Sequence, residues 1–229
     1  MASEEEYGKR PAAGQDSRLS RASVGRFSLY LRRLEDVLAE GSKHVSSHTL
    51  GESLGLTDTQ IRKDLASLGS LGQPGIGYDV AELIAAIRST LGIDRTWNAV
   101  LVGVGNLARA LLRYQGFVER GFHIVGLFDA DGEKVGTVVQ GLQIHSPDRM
   151  KEVIESTRAE LGILTVPAHS VQNVADVMIA AGIRGLLNFA PGIVRVPEGG
   201  RVVGVDLTVQ LEQLAFLVHL GDDARLSTR

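Results

Sequence analysis

The stretch VLVGVGNLARALLRY, residues 100–114, is typical of the start of a dinucleotide-binding unit. Three apolar residues lead into the spacing G-x-G-x-x-G/A, formed here by Gly103, Gly105 and Ala108, and a run with helical periodicity follows. In this motif the first glycine permits a tight turn, the second lets the backbone approach a pyrophosphate, and the third small residue allows close helix packing. The new helix would also present unsatisfied N–H groups to the phosphates. The stretch therefore predicts a nucleotide cradle between a strand and a helix.

The segments around this motif favour the same interpretation. Residues 97–205 alternate strand-like and helix-like segments, which is typical of a parallel sheet with helices on both faces. The second strand-like segment, HIVGLFDAD at residues 123–131, contains Asp129 near its end. A carboxylate in that position would accept hydrogen bonds from the adenine ribose. The glycine pattern is weak by itself, but this context favours a true cradle over a fortuitous turn.

The region before this sheet has the pattern of a helix-turn-helix. VSSHTLGESLG, at residues 45–55, predicts a short helix with a serine available as its N-cap. TDTQIRKDLASLG, at residues 57–69, begins with Thr57 and Gln60 at the capping-box spacing, which indicates a new helix. Because so few residues separate the two helices, the pair fits a helix-turn-helix.

The second of these helices has an outward surface suited to DNA. Its apolar residues share one face, while the other faces carry donors suited to base edges and phosphates, with small residues between them. GSLGQPGIGYDV, at residues 69–80, is turn-prone and typical of the hairpin of a winged helix. The residues expected to contact DNA are Arg26, Ser46, Ser47, Thr59, Gln60, Arg62 and Lys63. A helical bundle with a basic face that serves only solubility is the alternative.

The charge distribution also favours DNA. The formal net charge of −3 over 229 residues argues weakly against a nucleic-acid partner. Between Gly8 and Arg33, however, seven basic residues oppose the single acid Asp16, which makes an electropositive segment leading into the first helix. We expect residues 1–17 to be a disordered, solvated arm.

Other classes of function receive little support. The chain has no cysteine, so disulfides, thiolate zinc sites and cysteine nucleophiles are excluded. No two histidines have ligand spacing on one helix face, so we expect no metal site. His169 follows a strand end where chemistry could occur, but an exposed loop histidine is the simpler interpretation, and we assign no catalytic residue. The sequence shows neither a hydrophobic signal region nor a membrane-length apolar run, so we expect a cytoplasmic protein without membrane contact.

The segment VDLTVQLEQLAFLVHLG, residues 205–221, predicts a helix that is apolar on two sides. One stripe is Leu207, Leu211, Leu214 and Val218, and the other is Val209, Phe216, Leu217 and Leu220. A helix with two apolar faces must be buried on both. We therefore expect it to insert into a partner subunit and form a homodimer, which would also serve two DNA half-sites.

Eight stretches, in order along residues 18–221, resemble the Rex family of redox-sensing bacterial transcriptional repressors. They are VSSHTLGESL, TQIRKDLASLG, GIGYDV, GVGNLARAL, FDADGEKVG, LTVPA, AGIRGLLNFAP and VDLTVQLEQL. The resemblance implies a winged-helix domain over residues 18–92 and a Rossmann domain with a doubly wound parallel sheet over residues 93–205. It also implies a domain-swapped C-terminal helix and tail over residues 206–229.

The resemblance further implies a function. An NADH/NAD sensor of this kind represses from pseudo-palindromic double-stranded operator DNA, and NADH lowers its DNA affinity, which releases genes for respiration or fermentation. Carried over by motif, the cofactor residues are Val102, Gly103, Val104, Gly105, Asn106, Leu107, Ala108, Asp129, Thr165, Val166, Pro167, Asn188, Phe189, Ala190 and Pro191. The residues that couple the two sites are Arg32, Tyr114 and, from the partner chain, Asp206.

Two departures and two alternatives accompany this hypothesis. The third glycine of the fingerprint is Ala108, and the wing tip, usually basic in the family, has Gln73 and Pro74, so a DNA contact there is weaker or comes from the arm. One alternative is an NAD-dependent oxidoreductase with a helical dimerisation domain. The other is a regulatory module that binds CoA on a similar fold.

Overall fold

The computed structural model describes residues 19–226, which form parts of two compact units. One unit ends at Asp94 and the other begins at Arg95. The arm expected over residues 1–17 lies outside the described residues.

The first unit combines helices with a small antiparallel sheet. Its helices are α1 (Arg21–Ala39), α2 (Ser47–Leu54), α3 (Asp58–Ala66) and α4 (Val80–Leu91). Its strands are β1 (His44–Val45), β2 (Gly72–Gln73) and β3 (Gly77–Asp79), in the order β1-β3-β2. The hairpin of β2 and β3 after α3 is the wing of the winged helix.

Short polar side chains start the helices of this unit. Ser46 caps α2 by accepting a hydrogen bond from the backbone N–H of Thr49 at 3.0 Å. Thr57 caps α3 in the same way, accepting from Gln60 N–H at 3.2 Å. No reciprocal bond from Thr57 N–H to Gln60 Oε1 is found among the described residues, and Gln60 Nε2 donates to Asp64 at 3.0 Å.

An apolar core joins the helices of the first unit. Its largest fully buried side chains are Phe27, Tyr30, Leu31, Leu34, Leu50, Ile61, Leu65, Leu83 and Ile87. They come from all of the helices, at the helical spacing that the sequence shows. Burial of each such side chain contributes roughly 1.5–3 kcal/mol.

The second unit is built on one sheet with the strand order β10-β9-β8-β4-β5-β7-β6. The strands are β4 (Trp97–Val102), β5 (Phe122–Phe128), β6 (Val138–Val139), β7 (Leu142–His145), β8 (Leu161–Leu164), β9 (Gly185–Asn188) and β10 (Arg201–Gly204). The helices are α5 (Asn106–Leu112), α6 (Gln115–Glu119), α7 (Met150–Thr157), α8 (Val171–Ala180) and α9 (Leu207–Leu226). All neighbouring strands are parallel except the edge pair of β6 and β7, so the expected α/β class is correct.

The sheet is covered unevenly. Side chains of α7 and α8, among them Ile154 and Met178, pack on one face against Val100 and Phe128 in a single apolar cluster. On the other face the cluster around Leu101 includes Ala108 of α5. Residues 189–200, which connect the parallel strands β9 and β10, contain no helix.

The helix expected from residue 106 to about residue 117 is interrupted. Tyr114 leaves the helical conformation, with φ −77° and ψ 104°, and precedes a second short helix. Its ring packs edge-on against Phe117, with centroids 5.2 Å apart, and lies over Gly116. A Cβ at Gly116 would come within 2.5 Å of the end of the Tyr114 ring, so any larger residue there would displace this ring from its present position.

Candidate functional site

The glycine turn between β4 and α5 is held against the neighbouring strand. Gly103 has φ +94°, and a Cβ there would lie 2.7 Å from the carbonyl oxygen of Thr165. The Thr165 hydroxyl donates back to Gly103 O at 2.8 Å. Gly105, by contrast, has nothing within 4 Å of the position of a Cβ, so the space in front of the turn is open. This close approach on one side and open space on the other suit a bound phosphate group.

Asp129, at the end of β5, is the acid of this site. It is only 8% exposed and accepts hydrogen bonds from Val104 N–H at 2.8 Å and Asp131 N–H at 2.9 Å. Lys134 Nζ donates to it at 3.0 Å. Burial alone would raise the pKa of Asp129, but the hydrogen bonds from Asp131, Lys134 and Val104 outweigh it and lower the pKa. The site therefore contains an ionised, pre-oriented carboxylate.

A cavity of about 550 Å³ extends from the glycine turn past Asp129. The expected cofactor residues that line it are Val102, Gly103, Gly105, Asp129, Thr165, Val166 and Pro167. Further lining residues that were not expected are Ala130, Lys134, Pro147, Met150, His169, Ser170, Asn173, Val174 and Val177. The volume is in the range of small-molecule and cofactor sites.

The other expected cofactor residues do not line this cavity. They are Val104, Asn106, Leu107, Ala108, Asn188, Phe189, Ala190 and Pro191. Ala108 is fully buried on the side of α5 that packs against the sheet, which is the role that the motif assigns to it. Asn188 is 3% exposed, and its amide exchanges hydrogen bonds with the backbone of Ala190. Asn188 thus shapes the loop after β9.

The residues expected to contact DNA lie on three helices: Arg26 on α1, Ser46 and Ser47 at the start of α2, and Thr59, Gln60, Arg62 and Lys63 on α3. Thr59, Arg62 and Lys63 are exposed on α3. Arg62 pairs with Asp58 one turn earlier on the helix, and both side chains are well exposed. A shallow groove of about 460 Å³ lies between α2, α3 and the wing, and Ser46, Ser47 and Arg62 line it.

Arg26 and Gln60 donate hydrogen bonds to a buried acid, Asp64, that the sequence did not reveal. Asp64 of α3 is 6% exposed and receives Arg26 Nε at 2.6 Å and Arg26 Nη2 at 2.8 Å. Tyr30 Oη donates to it at 2.6 Å and Gln60 Nε2 at 3.0 Å. Its place three residues after Ile61, on the apolar face of α3, was the signal that could have revealed it.

The three residues expected to couple the two sites lie on different elements, Arg32 in the first unit and Tyr114 and Asp206 in the second. Arg32 is exposed on α1. Tyr114 is 55% exposed between α5 and α6. Asp206 caps α9, accepting hydrogen bonds from Thr208 N–H at 2.9 Å and Val209 N–H at 3.4 Å.

α9 exposes apolar side chains on both stripes. They include Leu207 at 65%, Leu211 at 66% and Phe216 at 60% exposure. An apolar groove of about 470 Å³ lies over the sheet on the face away from α7 and α8. Its walls include Ala99, Ile124, Leu161, Ile163, Leu187 and Val203.

No group of three or more potential metal ligands occurs among the described residues. In the same part of the chain, no helix has the length and hydrophobicity needed to cross a bilayer. His169 is exposed at the rim of the cavity.

Comparisons with known proteins cover both units. Residues 18–66 match the family described as "Putative DNA-binding protein N-terminus", and residues 94–192 match the family described as "CoA binding domain". The chain is 44% identical over 202 residues to the redox-sensing transcriptional repressor Rex of Carboxydothermus hydrogenoformans, covering 88% of this chain and 97% of that protein. It is 45% identical over 201 residues to the Rex of Rhodopirellula baltica, covering 88% and 85%.

Solved structures match the same range. The crystal structure of RSP, a Rex-family repressor, has a TM-score of 0.84 at 30% identity and covers 92% of this chain and 99% of that chain. RSP in complex with β-NAD+ and operator DNA has a TM-score of 0.84 at 32% identity, covering 90% and 95%. RSP in complex with β-NADH has a TM-score of 0.82 at 30% identity, covering 91% and 98%. By its sequence along nearly the whole of these relatives, the chain belongs to the Rex family of redox-sensing transcriptional repressors.

Proposed function

We propose that this protein is a cytoplasmic transcriptional repressor that senses the NADH/NAD state, and that binding of NADH lowers its affinity for operator DNA. The observation that carries the proposal is the cavity around the ionised Asp129, in the same chain as a winged helix. Its family consists of repressors, not enzymes, and a family member has been solved with NADH and with NAD+ plus operator DNA.

The cavity fits a dinucleotide. The open space in front of Gly105 suits the pyrophosphate, and the buried carboxylate of Asp129 suits a ribose hydroxyl. Because a carboxylate repels a phosphate on the same ribose, we expect NADH to bind more tightly than NADPH. The residues from Thr165 to Pro167 would form the opposite wall.

The DNA partner follows from the exposed donors of α3. Thr59, Arg62 and Lys63 project from the helix that a winged helix places in the major groove. The pair of Arg62 with Asp58 is exposed and contributes little to stability, so Arg62 is free to contact a phosphate or a base instead. Ser46 and Ser47 at the start of α2 would contact the adjoining backbone.

The dimer follows from α9 and the apolar groove. Apolar side chains that are 42–66% exposed along both stripes of a helix require a partner surface. We propose that α9 of a second copy inserts into the groove that includes Leu161, Leu187 and Val203, and that the exchange is reciprocal. A twofold dimer would then place two winged helices on a pseudo-palindromic operator.

Coupling between the sites would use Arg32, Tyr114 and the partner's Asp206. A guanidinium, a phenol and a carboxylate from three elements can exchange partners between two states, and charge-assisted hydrogen bonds are among the stronger ones. In one state Asp206 would pair with Tyr114, and in the other with Arg32. Asp206 also caps α9 by accepting from Thr208 N–H, so each new partner would have to share its carboxylate with that cap or displace it.

A second candidate rests on the match of residues 94–192 to the family described as "CoA binding domain". Tight binding of CoA, with weak binding of NADH, would favour it. Turnover of NADH with a substrate would favour the oxidoreductase alternative. His169, which lines the cavity, would then be the histidine nearest to that substrate.

Selection of duplex DNA from random sequence, with and without NADH, tests the proposed function. We expect enrichment of one pseudo-palindromic sequence without NADH and loss of that enrichment when NADH is present. Enrichment that is identical in both arms would contradict redox sensing, and no enrichment in either arm would contradict repression through specific DNA.

A further inference from the structure

Lys134 lies in the cavity wall beside the ribose carboxylate. Its ammonium donates to Asp129 Oδ2 at 3.0 Å and lies 3.6 Å from Asp131 Oδ2. The side chain is 35% exposed and faces the same cavity as Asp129. The pKa of Lys134 is raised, mainly by its hydrogen bond to Asp129, so the group is a cation.

A tight turn fixes this placement. The backbone N–H of Lys134 donates to Asp131 O at 3.0 Å, and Asp131 Oδ1 accepts from Glu133 N–H at 3.0 Å. The carbonyl of Lys134 accepts in turn from Thr137 N–H at 3.0 Å and from its hydroxyl at 2.6 Å. The turn after β5 therefore returns Lys134 to the carboxylate instead of leaving it in solvent.

The two carboxylate oxygens of Asp129 accept different numbers of hydrogen bonds. Oδ2 accepts from both Val104 N–H and Lys134, which occupies the two lone-pair sites of that oxygen. Among the described residues Oδ1 accepts one hydrogen bond, from Asp131 N–H. One lone-pair site on Oδ1 therefore remains for a ribose hydroxyl.

We propose that Lys134 is a specificity-determining residue of this cavity, because its ammonium offsets the repulsion between Asp129 and a phosphate on the adenine ribose. The proposal rests on the proposed function, since it assumes that Asp129 contacts the adenine ribose of a nicotinamide nucleotide. NADH remains the preferred ligand, but the difference in affinity between NADH and NADPH is smaller than a carboxylate without a neighbouring ammonium would give. Opposite charges within a few ångströms in a partly buried site interact strongly enough to change such a ratio.

The test compares dissociation constants of NADH and NADPH, measured by isothermal titration calorimetry on the full-length protein. Lys134→Met removes the charge and keeps much of the side-chain length. We expect it to raise the ratio of the NADPH constant to the NADH constant about tenfold, which corresponds to about 1.4 kcal/mol. Lys134→Arg keeps the charge and should leave the ratio within about threefold of that of the unmodified protein.

Two further variants complete the design. Lys151→Met removes an exposed lysine of α7 that pairs with Glu155 one turn later, and it should leave both constants unchanged. Asp131→Asn removes a negative charge beside Lys134 and should lower the ratio, which provides a test even if Lys134→Met impairs folding.

A ratio that stays within about twofold of that of the unmodified protein in Lys134→Met would overturn the assignment of Lys134 while leaving NADH sensing intact. Failure of the unmodified protein to bind NADH at all would instead overturn the proposed function, and this proposal with it.

Discussion

At the scale of single residues, the nucleotide site depends on how Asp129 is held. Two backbone N–H groups and one ammonium orient its carboxylate before any ligand binds. A pre-oriented acceptor loses little conformational freedom on binding, so more of the hydrogen-bond energy appears as affinity.

Replacement of Asp129 by alanine should weaken NADH binding and erode the preference for NADH over NADPH. A hydrogen bond to a charged group contributes about 1.5–3 kcal/mol, so we expect a loss of roughly tenfold or more for NADH. Affinity for NADPH should fall less or rise, because the repulsion disappears while Lys134 remains. Calorimetric titration of both nucleotides measures this, and equal affinity of the unmodified protein for the two would contradict the role of Asp129.

The sequence predicted some of these residues and missed others for a physical reason. Asp129 was predictable because the acid follows a strand at a fixed distance from the glycine turn. Lys134 and Asp64 were not, because their roles depend on contacts that only the folded chain creates, across a turn in one case and between two helices in the other.

At the scale of elements, α3 is fixed to α1 by a buried ionic network. Asp64 of α3 receives Arg26 and Tyr30 of α1. Burial would raise the pKa of Asp64, but the hydrogen bonds from Arg26 and Tyr30 lower it. The network orients α3. The guanidinium of Arg26 is bound to Asp64, and the DNA contact expected of Arg26 stays a prediction.

Asp64→Asn should destabilise the first unit, because it leaves Arg26 without its carboxylate in a partly buried site. Breaking such a pair costs about 3 kcal/mol. Since the folded pKa of Asp64 is below its unfolded value, the stability it contributes is present above about pH 4 and is lost as the pH falls through the folded pKa. Chemical denaturation of both proteins from pH 7 to pH 2.5 should show the difference shrinking below pH 4. A difference that does not change with pH would contradict the ionic network.

Arg62→Ala and Lys63→Ala should each weaken operator binding and leave NADH affinity unchanged, because both side chains are exposed on α3. A lost phosphate contact should reduce the salt dependence by about one unit in slope, whereas a lost base contact should cost roughly 1–3 kcal/mol and relax sequence preference. Fluorescence anisotropy with a labelled duplex at several salt concentrations distinguishes the two. Normal operator binding by both variants would show that α3 is not the recognition helix.

Element boundaries were predictable where local chemistry sets them. Ser46 and Thr57 start α2 and α3, and N-caps are visible in a sequence. The break between α5 and α6 was not, because helical periodicity continues through it, whereas the backbone of Tyr114 is extended in the folded chain.

At the scale of the whole molecule, the proposed function requires two sites in one chain to affect each other. Binding at one site shifts an equilibrium only if the ligand has different affinities for the two states. Such a coupling is typically about 1–3 kcal/mol and acts equally in both directions. The swapped α9 would make the coupling a property of the dimer, because Asp206 would act on the partner's Tyr114 and Arg32.

Asp206→Ala and Tyr114→Phe should therefore reduce the coupling without removing either binding site. Neither side chain belongs to an apolar core, so we expect the variants to fold, and sedimentation equilibrium should show that they remain dimeric. NADH affinity with and without operator, measured for each variant, gives the coupling factor. A factor equal to that of the unmodified protein in both variants would exclude this exchange of partners but not the sites themselves.

The affinity of the unmodified protein for NADH, with and without saturating operator duplex, tests the central claim most directly. We predict that operator weakens NADH binding by roughly five- to 150-fold, and that saturating NADH weakens operator binding by the same factor. Equal NADH affinities in the presence and absence of operator would contradict it.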